Sequence, residues 1–464
     1  MRREPTASTC VTASGNNTLS APADEHEPTG YPPPRRAWFA LVVLTIVYVI
    51  SFIDRQAISL LIDPIQRDLG LSDMQLGLLQ GMAFATVYAI AGLPLGRAAD
   101  QFNRRNIIIA GVAFWSVMTG LCGMARSFTA LLLCRAGVGV GEAALSPSAY
   151  SMMSDYFPPR QLPGAMSFYN LGPSIGSGLA YLLGGFILAF AGDTHAFDFH
   201  IIGLHDVKPW QVTFVVLGGL GIVAIALLSF IAEPPRRHER RADVQEVSFA
   251  ETLRFLRVNA SSIAAMFGGL SLLGVLSYAT MTWYPTMLVR SFDESVSRTG
   301  MLLGPLFIVA SIVGNLGGAW CALRVADRGY SYPYVRWAMF AAMAVTCLGT
   351  LVPLIPSLPL AYAAIALLIV VQSSWMGSAV AGLHLAVPAT MRAQLTAILL
   401  LCTNLVGLSL GPSAVAAITQ YGFQDPASLR YSLAIVSIGA GSLAVLTLWY
   451  SLRNFGRLAL AGGN

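Results

Sequence analysis

Apolar residues in this chain gather in blocks the length of a membrane-crossing helix, ~20 residues, separated by short polar turns. Twelve such blocks fall near residues 38–61, 75–96, 106–124, 128–150, 162–190, 211–232, 258–284, 299–323, 334–354, 359–381, 393–417 and 430–452. Each predicts a transmembrane helix, and together they predict an all-α polytopic membrane protein. The longest polar connection, 233–257, contains EPPRRHERRADVQEV and falls at the midpoint. The pattern therefore divides into a tail (1–37), a six-helix bundle (38–232), a linker (233–257), a second six-helix bundle (258–454) and a short tail (455–464). The first tail is rich in Pro, Ser, Thr, Asn and Glu and has no apolar core of a signal peptide, which predicts disorder.

Composition agrees with the blocks. Of 464 residues, 55% are hydrophobic and 11% charged, against about 25% charged in soluble domains, and the mean hydropathy is +0.64. The net charge of +5 does not point to nucleic acid, because its arginines are concentrated on one side of the predicted membrane. Even-numbered turns and the tails hold Arg35, Arg36, Arg97, Arg104, Arg105, Arg160, Arg236, Arg237, Arg240, Arg241, Arg324, Arg328, Arg336, Arg392, Arg453 and Arg457. Odd-numbered turns hold only Arg67, Arg126, Lys208, Arg290, Arg298 and Arg430. The positive-inside rule then puts both termini and the linker in the cytoplasm, in a multi-pass protein of the cell's inner (cytoplasmic) membrane. The cysteines show no CxxC or metal spacing and read as packing residues.

Three stretches carry candidate chemistry. In span one, Asp54 and Arg55 interrupt an apolar run, and each charge costs roughly 2.5–3.5 kcal/mol at a helix centre. Adjacent helical residues point about 100° apart, so their partners must come from other helices. Span four offers them in RAGVGVGEA: Arg135 and Glu142 lie two turns apart on one face, and the glycines between admit a close neighbour helix. These four residues could be static ion pairs, or a site whose proton affinity changes as partners exchange. The third stretch, GRAADQFNRR, puts Gly96, Asp100, Arg104 and Arg105 in the turn after span two, a charge cluster able to lock and release neighbouring helices. Gly318, Arg324, Asp327 and Arg328 repeat it in degenerate form after span eight, as in a six-plus-six repeat.

The turn after span two resembles the loop signature of the major facilitator superfamily. Gly96, Asp100, Arg104 and Arg105 match it, while Gln101 stands where a basic residue is usual and Asn103 where glycine is usual. With SFIDR in span one and RAGVGVGEA in span four, the resemblance narrows to that family's spinster branch, over residues 45–180 and more thinly beyond. It implies the twelve-helix, two-bundle fold, alternating access and transport of lysolipid or sphingoid-type amphiphiles. It places proton coupling on Asp54 and Glu142, and the arginine preceding the glycine run on Arg135.

The expected activity is thus proton-coupled transport of an amphiphilic lipid, with Arg55 and Arg135 as charge partners or headgroup ligands. The expected partners are that substrate, protons and the bilayer, with no cofactor and no metal, in a monomer. Candidate cavity residues are Tyr48 and Asn170 in the first half, with Tyr278, Trp283, Tyr284 and Phe307 from spans seven and eight. Asn315, Gln372, Trp375 and Asn404 complete the set, although aromatic and amide side chains also serve helix packing. Pro285, after Trp283 and Tyr284, frees a carbonyl and could unwind span seven as an outer gate.

His384 is the membrane-embedded histidine, and His195, His200 and His205 lie in an external loop without metal-ligand spacing. A small metabolite or drug could be the cargo of the same architecture, and an uncoupled facilitator would use the charges only as struts. A nontransporting sensor would need an effector domain larger than the linker. No Walker-type motif, hydrolase constellation or redox motif occurs, so no covalent chemistry is expected.

Overall fold

The computed structural model describes residues 31–193, 207–236 and 248–461. Among the described residues there are no strands, and twelve helices are long and apolar enough to cross a membrane. The spans of the first half are Pro34–Leu60, Asp73–Gln101, Arg104–Cys122, Phe128–Tyr156, Leu162–Phe190 and Pro209–Ser229. Those of the second are Ala260–Phe292, Val296–Asp327, Pro333–Leu354, Leu358–Ala386, Gln394–Phe423 and Pro426–Gly456.

Every predicted block is present, but most helices run past the apolar residues that signal them. The reason is local. Span one starts at Pro34, within the expected tail, because proline is preorganised for the first helical turn. Ser72 and Gln75 form a reciprocal capping box that opens span two, one turn before its apolar run. Asn103 accepts a hydrogen bond from the Asn106 N–H and opens span three. The expected tail after 455 is helical as far as Ala461. In the expected linker, Phe249–Val258 is a short amphipathic helix, capped by Ser248 and Glu251.

The helices pack in two groups of six whose contacts repeat. Span one lies on span five, three on six and two on four; correspondingly, seven lies on eleven, nine on twelve and eight on ten. Between the groups, span two meets eleven and span five meets eight, while one meets seven. The approximate two-fold repeat suggested by the degenerate turn is thus carried by the packing itself.

The two groups close together at the end of the molecule opposite the termini. There a continuous apolar core joins Leu61, Ile65, Leu76 and Trp210 of the first half to Met287, Leu288 and Leu429 of the second. The core around Leu44, Val112, Trp115 and Met152 belongs to the first half, with Leu408 and Tyr278 touching its edge. Backbones approach closely between spans two and eleven, where a Cβ on Gly81 would run into the Leu408 carbonyl oxygen, and between spans five and eight. A Cβ placed on Gly304 would lie 2.7 Å from the Gly178 carbonyl oxygen, and one on Gly185 2.6 Å from that of Ser297.

Candidate functional site

The charged residues of spans one and four meet in the first bundle. Arg55 points toward Glu142, with Nη2 2.5 Å and Nε 3.1 Å from the same carboxylate oxygen. Glu142 is fully buried and Arg55 keeps 13% of its side chain exposed. The guanidinium also lies over the rings of Phe52, Phe84 and Tyr88, at 4.6, 4.5 and 5.3 Å, faces that stabilise a cation.

Arg135 does not pair with Asp54, as the spacing would allow. It donates instead to the backbone carbonyls of Asp54 and Arg55, each at 3.0 Å, clamping span one where its two charged side chains diverge. Asp54 is therefore left 0% exposed with neither oxygen hydrogen-bonded. The indole of Trp115 is its neighbouring donor but does not reach hydrogen-bond geometry. Glu142 Oε1 and Arg135 Nε also lack partners. Close approach of spans three and four makes this possible: a Cβ on Gly141 would lie 2.7 Å from the Gly111 carbonyl oxygen.

Around Arg55 stands a group of tyrosines. Tyr48 stacks on Tyr169 with centroids 4.4 Å apart, and Tyr169 meets Tyr150 edge-on at 5.4 Å. The Tyr150 hydroxyl donates to Asn170 at 2.8 Å, and Tyr278, from the second bundle, donates to Asn404 at 2.8 Å. Tyr278 and Tyr88 both lie within electrostatic range of Arg55. Tyr88, Tyr150 and Tyr169 escape a reading that looks only for charges. The signal was present: Tyr48, Phe52 and Arg55 share one face of span one, and Phe84 and Tyr88 share one of span two.

Other expected cavity residues sit elsewhere. Trp283 and Tyr284 are 0% and 3% exposed in the second bundle's core, the indole donating to the Pro412 carbonyl at 2.9 Å; they do not line the opening. Trp375 is likewise core. Asn315 turns its amide back onto the Ser311 carbonyl. Gln372 is half-buried, 3.5 Å from Thr280 Oγ1, and Phe307 packs edge-on against Tyr181. His384 is half-buried against Thr396 Oγ1, 2.8 Å away. His195, His200 and His205 lie outside the described residues, and among those described no acidic, histidine or cysteine group could hold a metal ion.

The turn after span two also departs from expectation. Arg104 is 2% exposed and forms ion pairs with Asp155 at 2.5 Å and Glu233 at 2.7 Å. The Arg105 N–H donates to Glu233 at 3.0 Å and its guanidinium to the Ile231 carbonyl at 3.0 Å. Asp100 is exposed and makes no ion pair among the described residues. The carboxylates of this cluster thus come from span four and from the non-helical segment that follows span six, tying the first bundle together, so that Glu233 is held against that bundle. Gly96 is half-buried beside the cluster.

At the opposite end the structure adds a charge cluster that no motif marks. Arg290, from span seven, reaches across to the first bundle. It donates to Asp63 at 2.9 Å, to Asp73 at 2.9 and 3.2 Å and to Gln66 at 2.7 Å. This network bridges the two bundles where they are closed.

Two repeated helical bundles around a partly buried charge site define the class of a membrane transporter. The family model of the major facilitator superfamily matches residues 44–330. The chain belongs to that family. An MFS-type efflux pump of Mycolicibacterium smegmatis is 26% identical over 428 residues, 90% of this chain and 93% of the pump. Protein spinster homolog 1 of Xenopus laevis is 28% identical over 312 residues, 62% of this chain and 55% of that protein. In structure the chain resembles a bacterial homolog of the human lysosomal transporter spinster in an inward-facing, unoccupied conformation. The TM-score is 0.74 at 26% identity, covering 93% of this chain and 98% of the homolog. The protein is thus a transporter of this superfamily related to the spinster proteins.

Proposed function

We propose that this protein moves an amphiphilic lipid, a lysophospholipid or sphingoid-like molecule, by proton-coupled alternating access. The observation that carries the coupling is the state of Asp54. Arg135 is spent on carbonyls and Arg55 on Glu142, so Asp54 is a buried carboxyl with neither oxygen hydrogen-bonded and only the Trp115 indole as a neighbouring donor. It is the group of the cluster free to bind a proton, and a proton there changes the charge balance of Arg135, Glu142 and Arg55 together. Glu142, with one oxygen unpartnered, is the second carrier.

With the arginine-rich end in the cytoplasm, the conformer is closed outside and its substrate path faces in. Arg55, held by Glu142 and three aromatic rings yet partly exposed, suits an anionic headgroup, and the tyrosines around it suit the adjoining polar and apolar portions of such a molecule. Asp100, exposed here, would find its partner in the cytoplasmically closed state. One copy of the chain holds the whole site, so a monomer suffices.

Proteoliposomes test the proposal. An imposed pH gradient is expected to change lysolipid flux, and Asp54→Asn or Glu142→Gln to abolish that dependence. Unaltered gradient dependence in both variants would sink the coupling; absence of lysolipid flux beside robust movement of a small solute would sink the lipid. That second outcome belongs to the other reading, small-molecule efflux, which the full-length similarity to an efflux pump favours.

A further inference from the structure

Pro285 has no N–H, so the carbonyl of Met281 one turn earlier loses its helical donor. Span seven nevertheless does not unwind: the helix is continuous from Ala265 to Phe292. The freed carbonyl is satisfied from the other bundle. Gln56 of span one donates to it at 2.9 Å and the Tyr181 hydroxyl of span five at 2.5 Å. The same amide nitrogen, with two hydrogens to share, also lies 3.0 Å from the Tyr181 oxygen and within hydrogen-bond reach of Ser59 Oγ. Gln56 is 6% and Tyr181 2% exposed.

We propose that Gln56, Tyr181 and the Met281 carbonyl form a cross-bundle latch that holds the end opposite the termini closed. The inference rests on the alternating-access reading above and assigns two positioning residues to it. Opening that end must part span seven from spans one and five, and neither donor can follow the carbonyl. The proline makes the arrangement switchable. An ordinary helix carbonyl would already have its own N–H and would need nothing across the interface, whereas this one is orphaned whenever the bundles separate there. Gln56 lies two residues from Asp54, so a rotation of span one at the charge cluster carries this donor with it.

Spin labels at Arg67→Cys and Tyr421→Cys, in a chain whose six native cysteines are serine, report the separation of the closed end by pulsed electron–electron distance measurement. In the wild type, short and long separations should both be populated across pH. Tyr181→Phe, which keeps the ring and the fold, is expected to shift the ratio toward the long separation by about fivefold, the equivalent of one typical net hydrogen bond. Adding Gln56→Leu should carry the shift beyond about tenfold. In a Pro285→Ala background, where residue 285 supplies an N–H to Met281, both shifts should fall below about twofold.

No shift in Tyr181→Phe, or an equal shift with Pro285→Ala, would overturn the latch, the second result meaning that the side chains only pack. The alternating-access reading fails separately. A wild-type chain holding one separation at every pH and with every lipid, while Tyr181→Phe lowers only thermal stability, would remove it.

Discussion

The pair of Arg55 and Glu142 can be separated into its structural and functional parts by removing one charge and then both. Glu142→Gln leaves a guanidinium at membrane depth with an amide in place of its counter-charge. Breaking one side of a buried pair costs about 3–5 kcal/mol. Here the rings of Phe52, Phe84 and Tyr88 remain within 4.5 to 5.3 Å and offset about 1–2 kcal/mol of that. A net loss of about 1–4 kcal/mol is expected in equilibrium unfolding from mixed micelles. Arg55→Met combined with Glu142→Gln removes the orphaned charge and should return to within about 1 kcal/mol of the wild type. The double variant then bears on function through the gradient response of its remaining flux: if the pair is a strut that response persists, and if the carboxyl carries protons it is lost in a folded protein. A loss below about 0.5 kcal/mol for Glu142→Gln alone, the range of unconstrained surface changes, would refute the reasoning.

Three further outcomes follow from named contacts. Arg290→Met strands Asp63 and Asp73 at the closed end, so labelling of a cysteine placed at Gln66 by a membrane-impermeant thiol reagent should accelerate by about tenfold or more; an unchanged rate would mean the network does not close that end. Gly304→Val sets side-chain atoms against the Gly178 carbonyl, where even a Cβ would lie at 2.7 Å, and should wedge spans five and eight apart, favouring the conformer closed at the termini-bearing end, as read by the same distance measurement. Arg104→Leu should destabilise the first bundle by about 2–4 kcal/mol through Asp155 and Glu233, whereas Asp100→Asn should change stability by less than about 0.5 kcal/mol. Equal losses in that last pair would contradict the assignment of the carboxylates.

The membrane class and the twelve helices were legible in the residues alone, because apolar length is a local property that lipid reads directly. The sequence also singled out Asp54, Arg55, Arg135 and Glu142, since charge at membrane depth is costly enough to be informative wherever it stands. What it could not determine is which groups meet. Arg135 takes carbonyls rather than Asp54, and Arg104 takes Asp155 and Glu233 rather than Asp100, because reach and direction across helices decide among several oxygens of equal chemical merit. Arg290 resembles an ordinary loop arginine until the bundles bring Asp63 and Asp73 to it, and the aromatic pair before Pro285 turns into the core although its composition suits a cavity. The proline was legible as a freed carbonyl. Only the tertiary structure supplied the donors, one from each of two helices in the opposite bundle, because a hydrogen bond across the interface depends on how the halves are docked and not on the sequence of either.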